Sequence, residues 1–442
     1  MHTLLHENRK TLVLALPLIA GQVSQMLLGL TDTLMIGRVG TVDLAAAAFA
    51  NALLILPLAV GIGLAIAVSI QVAHAHGKGR AAEAGETLRN GFFISLGLGA
   101  FLSVLIFLSV PFLEQMGQPS EVVAIVPPYL YWLGLSFLAV VPTMVFKGFA
   151  EAQSQPWTVL WIQLGGVALN VVLNAILIFG YLGFPAMGLT GAGIATCISR
   201  FATLVVLWYY LIGSRRLAAS LPPTWLKRLN RAECRTLVLL ASPVSGQLLI
   251  EMGAFTFGAL LIGRFGAIPL AAHQIAITCA ATTFMLPVGL AMAVTIRLGH
   301  AISAGEPARG RTLLIGAQLM GMLIMVACAT GYVLLGEQIA ASFTTDVEVI
   351  SLTVSILMVV AIIQLVDGIQ VISAAALRGI RDVNYPTLIL FVCFWLLGIP
   401  VGAGLGFTGG LGAVGVWLGL AVGLGLAAVA LSVRLWIKLK AE

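Results

Sequence analysis

Charge is what this chain has least of. Asp, Glu, Lys and Arg make up 9% of its 442 residues, against roughly 25% in an average soluble domain, and its mean hydropathy is +1.07. So little polar surface cannot coat a water-soluble globule of this mass. A soluble enzyme, a disordered regulator and a secreted disulfide scaffold are excluded together. Cysteine is sparse too: Cys197, Cys234, Cys279, Cys328 and Cys393 are odd in number, scattered, and never spaced C-x-x-C. That excludes a disulfide framework or a zinc site and leaves small apolar packing residues. Enzyme signatures are missing as well, with no H-E-x-x-H, no G-x-S-x-G and no phosphate-binding G-x-x-x-x-G-K-[ST]. One G-x-G-x-x-G occurs, at Gly404, Gly406 and Gly409, but outside the strand–turn–helix context that a dinucleotide needs. The stripe Gly415, Gly419 and Gly423 reads as helix packing. Nothing here calls for an enzyme or a cofactor.

What the chain has is long apolar runs. A helical span needs about 20 apolar residues, and twelve candidates fall near 11–36, 45–72, 90–113, 124–148, 157–180, 188–212, 236–263, 270–297, 312–335, 348–376, 385–405 and 410–437. The first, after Arg9 and Lys10, exceeds the ~7–15 residues of a cleaved signal core and stays as a span. The sequence thus predicts an all-α membrane protein divided into a six-helix lobe (1–212), a linker and hinge (213–235) and a second six-helix lobe (236–442).

The formal net charge of +6 follows from topology. With the N-terminus inside, Arg38 and Arg264 fall in outward loops and Arg200 in the sixth span, while the remaining 20 of the 23 basic residues face inward. That is the bias of the positive-inside rule. It places both termini and the linker in the cytoplasm and removes any need for a nucleic-acid partner.

The halves repeat. A shift of 226 residues aligns Pro17 with Pro243, Ile36-Gly37-Arg38 with Ile262-Gly263-Arg264, Gly63-Leu64-Ala65 with Gly289-Leu290-Ala291, and His74-Ala75 with His300-Ala301. Six spans per repeat preserve orientation, which implies a pseudo-two-fold along the membrane normal and a central cleft between two bundles, a transporter plan.

Three acids lie inside spans: Asp32, Glu251 and Asp367. A carboxylate at mid-span costs about 2.5–3.5 kcal/mol, and unpaired intramembrane acids mark ion or substrate paths. Shifted by the repeat, Glu251 faces Gln25 and Asp32 faces Gly258; the acids break the symmetry, so the fold itself does not require them. Asn170 and Asn174 share one helix face, and Gln364, Asp367 and Gln370 repeat every three residues. Oxygen-rich sets of this kind suit hard cations.

Leu30-Thr31-Asp32-Thr33-Leu34-Met35-Ile36-Gly37, Val294-Thr295-Ile296-Arg297, Asp367-Gly368-Ile369-Gln370 and Leu377-Arg378-Gly379 resemble motifs of the multidrug and toxic compound extrusion (MATE) family, NorM-type branch. The resemblance covers essentially the whole chain. It implies a secondary antiporter that exports cationic or amphiphilic compounds in exchange for inward sodium or protons, by alternating access of two lobes. It further implies a monomer in a bacterial inner membrane. By position, Asp32, Asn170, Asn174 and Thr196 correspond to a first-lobe cation and proton site, and Glu251 and Asp367 to a second-lobe site that sodium could occupy. Gln25, Gln247, Gln274 and Gln364 are assigned to the substrate cleft. Some members place a tyrosine one turn before the span-ten acid; Ile363 stands here. A lipid-linked precursor flippase of the same superfamily is the alternative.

Overall fold

The computed structural model describes the backbone of residues 2–441. Among these, twelve helices are long and apolar enough to cross a membrane: α1 (Leu4–Gly37), α2 (Thr41–Gly77), α3 (Ala81–Met116), α4 (Ser120–Ala152), α5 (Pro156–Phe179), α6 (Gly188–Gly213), α7 (Arg231–Gly263), α8 (Ala267–Ser303), α9 (Pro307–Phe343), α10 (Val347–Gly379), α11 (Asn384–Thr408) and α12 (Gly412–Lys440). The described residues contain no strand. The all-α, twelve-span architecture read from the apolar runs is therefore the observed one.

Most helices outrun the apolar segments that announce them. The helix that carries α1 already begins at His2, and α2 runs to Gly77, because polar residues at the membrane faces continue a helix as readily as apolar ones. α4 is interrupted at Ser136, which separates Ser120–Leu135 from Phe137–Ala152. α11 departs furthest from a uniform helix, with wider π-helical turns at Val392–Gly398 and Gly404–Thr408. Its partner surface is the α12 glycine stripe: a Cβ on Gly415 would lie 2.6 Å from the Gly406 nitrogen, one on Gly423 2.7 Å from the Cys393 carbonyl, and one on Gly419 would collide with the Gly402 backbone. The two backbones touch, as small residues permit. Of the G-x-G-x-x-G, Gly406 takes part in this packing, against Gly412 and Val416.

The chain forms two compact units, Val23–Ser245 and Met1–Gln22 with Gly246–Glu442. These limits differ from the division at 212 and 236 drawn from the sequence. Both breaks fall inside helices, α1 and α7, shortly after the repeat-related Pro17 and Pro243. Each helix start is gripped by the unit it joins. In the second unit, a Cβ on Gly289 would sit 2.6 Å from the Ile19 backbone. At the equivalent place in the first, a Cβ on Gly63 would sit 2.8 Å from the Ser245 nitrogen. The segment 214–230 belongs wholly to the first unit: Trp225 packs 4.5 Å from Trp208 and 5.8 Å from Phe92, and Gly85 leaves room for the Leu221–Pro222 backbone. The segment is thus packed against the unit Val23–Ser245.

Within Val23–Ser245, α4 packs on α2 and α3, and α5 on α6. In the other unit α10 is central, packed against α8, α9 and α12, with Gln364, Asp367, Gln370 and Ser373 all buried.

Candidate functional site

In the unit Val23–Ser245, the Asp32 carboxylate of α1 accepts a 2.5 Å hydrogen bond from Asn174 Nδ2 on α5. The same amide donates to Asn170 Oδ1 at 3.0 Å, and Asn170 Nδ2 reaches Thr196 Oγ1 on α6 at 3.4 Å. The i, i+4 spacing of the asparagines puts both amides on one face, and both are fully enclosed. The structure thus joins all four residues assigned to the first-lobe site into one chain across three helices. Two further groups share it. Arg200, one turn beyond Thr196, and the buried Tyr129 of α4 both interact electrostatically with Asp32. Arg200 makes no ion pair there; its Nη1 donates instead to Ser136 Oγ at 2.6 Å, at the interruption of α4.

The other unit holds two acids. Glu251 Oε1 accepts from Gln370 Nε2 at 2.8 Å, and Asp367, one turn from Gln370 on α10, lies within the field of Glu251. Asp367 is 8% exposed and has no hydrogen-bond partner among the described residues. Buried polar groups are ordinarily paired, so an enclosed carboxyl with no hydrogen-bond partner among the described residues stands out in this unit. Gln364, one turn away, is 1% exposed; its Nε2 donates to Thr283 Oγ1 at 2.9 Å while its Oε1 has no partner.

A third charge was not anticipated. Arg378, assigned from the sequence to the inward loop after span ten, lies within α10 and interacts with Glu251. Its Nη1 donates to Gln247 Oε1 at 3.1 Å, and Gln247 in turn donates to the Val383 carbonyl at 3.1 Å and Thr387 Oγ1 at 3.2 Å. Arg378 follows Asp367 by eleven residues, close to three full turns, so the two occupy one stripe of α10. That spacing is the signal that could have found it.

The four glutamines assigned to the substrate cleft divide. Gln25 and Gln274 are exposed, whereas Gln247 and Gln364 are enclosed and already engaged by protein groups.

Comparison with known proteins agrees with this architecture. The MatE family model matches residues 17–176 and again 243–403, two segments in the register of the internal repeat. The "Probable multidrug resistance protein NorM" of Pseudomonas putida is 35% identical over 431 residues, covering 96% of this chain and 93% of the relative. The "Multidrug resistance protein NorM" of Photobacterium profundum is 31% identical, covering 100% and 98%. Among solved structures, one described as the outward-facing conformation of a multidrug resistance MATE family transporter of the MOP superfamily has the same fold, with a TM-score of 0.90 at 21% identity over 98% of this chain and 96% of that one. An apolar chain with a doubled six-helix plan, intramembrane acids and full-length relatives of this kind belongs to the MatE family of transporters.

Proposed function

We propose that the chain is a secondary antiporter exporting cationic or amphiphilic compounds in exchange for inward sodium or protons. The observation that carries this reading is Asp367, an enclosed carboxyl without a hydrogen-bond partner beside Glu251. Binding a sodium ion or a proton there relieves the repulsion between the two acids and the cost of an unpaired buried charge. Inward movement of one monovalent cation yields about 2.3 kcal/mol per 100 mV, which can drive a substrate uphill. Exchange rather than leak requires the cation to favour the arrangement that releases substrate outside, and the substrate to favour the other. Asp32, Asn174, Asn170 and Thr196 form the second coupling element. Their hydrogen bonds change partners if the carboxyl of Asp32 changes its occupant. The exposed Gln25 and Gln274 are the substrate contacts.

The distribution of basic residues favours both termini and the segment 214–230 in the cytoplasm, and the bacterial origin of the relatives favours a bacterial inner membrane, the chain working as a monomer. The names of the relatives, multidrug resistance proteins, support the substrate class. The test is efflux of a fluorescent cationic dye from proteoliposomes under sodium and pH gradients imposed separately. Acceleration by at least one gradient is expected; dye flux indifferent to both would overturn antiport.

A further inference from the structure

In the unit Met1–Gln22 with Gly246–Glu442, the exposed side of α12 changes character towards the end of the helix. Leu426, Val429, Val433 and Trp436 follow one another at spacings of three and four and are all exposed, which makes one apolar stripe along the helix. Lys440, also exposed, continues the stripe, its Nζ 3.6 Å from the centre of the Trp436 ring. Beside it the exposed Arg311 of α9 donates from Nε to the Leu439 carbonyl at 3.1 Å, and from Nη2 to the same oxygen. The neighbouring cations are already engaged. Arg434 Nε donates to Asp382 Oδ2 at 2.8 Å while its guanidinium covers the Tyr385 ring at 3.8 Å, and Lys438 Nζ lies 3.9 Å from the same carboxylate oxygen. Arg311 and Lys440 have no carboxylate partner among the described residues.

The equivalent end of α6, in the other unit, is built otherwise. Shifted by 226 residues, Arg434 becomes Trp208, Trp436 becomes Tyr210 and Lys438 becomes Ile212, and Trp225 packs over Trp208 at 4.5 Å. Chain covers that surface, whereas the end of α12 presents two unpaired cations around an exposed indole. In a bilayer, tryptophan settles at the level of the headgroups, long basic side chains lie along apolar surface with their charge at the interface, and basic clusters at a helix end attract anionic lipid. We propose that Arg311, Lys440 and Trp436 bind the headgroup of an anionic phospholipid of the phosphatidylglycerol class, with one acyl chain along Val433, Val429 and Leu426. Its phosphodiester is not balanced by an amine, unlike that of a zwitterionic lipid, so it can supply the negative charge that the two cations lack. The site stands apart from the antiport reading; only its leaflet, the cytoplasmic one, rests on the orientation proposed above.

The experiment places the full chain in phosphatidylcholine bilayers containing small fractions of brominated phosphatidylglycerol or brominated phosphatidylcholine, whose bromines quench nearby indoles. The signal of Trp436 is the difference between the wild type and Trp436→Phe. Brominated phosphatidylglycerol is expected to be selected at Trp436 over brominated phosphatidylcholine by about tenfold. The double variant Arg311→Gln with Lys440→Gln should bring the preference within about twofold. Lys440→Arg should keep it, as should Lys227→Gln with Arg228→Gln, which removes the same charge from the exposed segment 214–230. Equal quenching by both lipids in the wild type overturns the proposal, as does a folded double variant that keeps its preference. Loss of preference in the Lys227 and Arg228 variant also overturns it, because overall charge would then set the selection. Quenching by neither lipid would show Trp436 covered by protein, such as a second copy of the chain, and rejects a lipid site. Should the double variant fail to fold, Lys440→Gln decides, since this side chain touches only the exposed indole: a preference reduced about threefold supports the site, and an unchanged one overturns it.

Discussion

The two units are built from one repeat, yet they treat their buried charge in opposite ways. At the start of α1, Glu7 is enclosed with Arg297: the guanidinium donates to the Glu7 carboxylate, to its backbone carbonyl and to Thr11, while Arg309 Nε reaches the same carboxylate at 3.3 Å. Shifted by 226 residues, Glu7 becomes Glu233 and Arg297 becomes Gln71. There the carboxylate accepts from Thr87 at 2.7 Å and from Gln71 at 3.4 Å, with no ion pair among the described residues. Deeper in the membrane the contrast reverses. The unit with the ionic clasp holds two buried acids, Glu251 and Asp367, and the unit with the neutral clasp holds Asp32, hydrogen-bonded to Asn174. The repeat shapes the scaffold alike in both units, and the buried acids lie where the two copies differ.

The clasps offer the largest effect. Breaking a buried ion pair by neutralising one partner costs about 3–5 kcal/mol, because the other charge stays buried. Glu7→Gln strands Arg297 in this way and is expected to destabilise by about 3 kcal/mol. Glu233→Gln loses hydrogen bonds to neutral partners and should cost about 1 kcal/mol. Thermal melts of the two purified variants test the difference; equal losses would mean that the repeat, rather than the ion pair, sets stability at these positions.

Asp32→Asn is next. The carbonyl of an asparagine can still accept from Asn174, so the fold survives, but Arg200 then carries a buried charge that nothing nearby opposes. Efflux should fall by about 100-fold, or roughly 2.7 kcal/mol, with a smaller loss of stability than in Glu7→Gln, because Arg200 makes no ion pair with Asp32 and keeps its bond to Ser136. Wild-type efflux would make Asp32 a purely structural acid. Asp367→Asn tests the proposed coupling role of the other unit. Gradient-driven efflux should drop about tenfold while dye affinity stays within about twofold. Parallel binding and transport measurements on one preparation separate these losses; a matching loss of affinity would move Asp367 into the substrate site.

How much of this was legible beforehand follows from what a sequence pattern can express. The twelve spans are composition, and the chain announces them without ambiguity. Asp32, Glu251 and Asp367 stand out because an acid in an apolar run has no cheap explanation. Arg378 escaped because it sits near the end of a run, where an arginine normally reports topology; only the eleven-residue stripe with Asp367 distinguishes it. Tyr129 escaped because a tyrosine inside a span is unremarkable until its neighbours are known. The division of α1 and α7 between the units was hidden by their continuity. A helix reads as one object in sequence even when its two ends are packed in different places, and Pro17 and Pro243 mark the region without saying which side belongs where. The π-helical turns of α11 left no separate trace, since their glycines also serve the packing against α12.

The smallest effect probes the far end of the Asp32 chain. Its links lengthen from 2.5 Å at Asp32 to 3.0 Å between the asparagines and 3.4 Å at Thr196. Hydrogen bonds weaken with length, and 3.4 Å lies beyond the usual range for a nitrogen donor and an oxygen acceptor. Thr196→Val keeps the β-branched shape in a position only 7% exposed and removes this one acceptor. Asn170 retains its bond from Asn174 through Oδ1, so the amides next to Asp32 keep their orientation. The expected change is less than about twofold in dye efflux, corresponding to roughly 0.4 kcal/mol, with stability lowered by no more than about 1 kcal/mol. A loss approaching that of Asp32→Asn would show that Thr196 acts directly on the carboxylate or its occupant, and that the unit Val23–Ser245 uses three helices for coupling where the hydrogen-bond lengths assign the work to two.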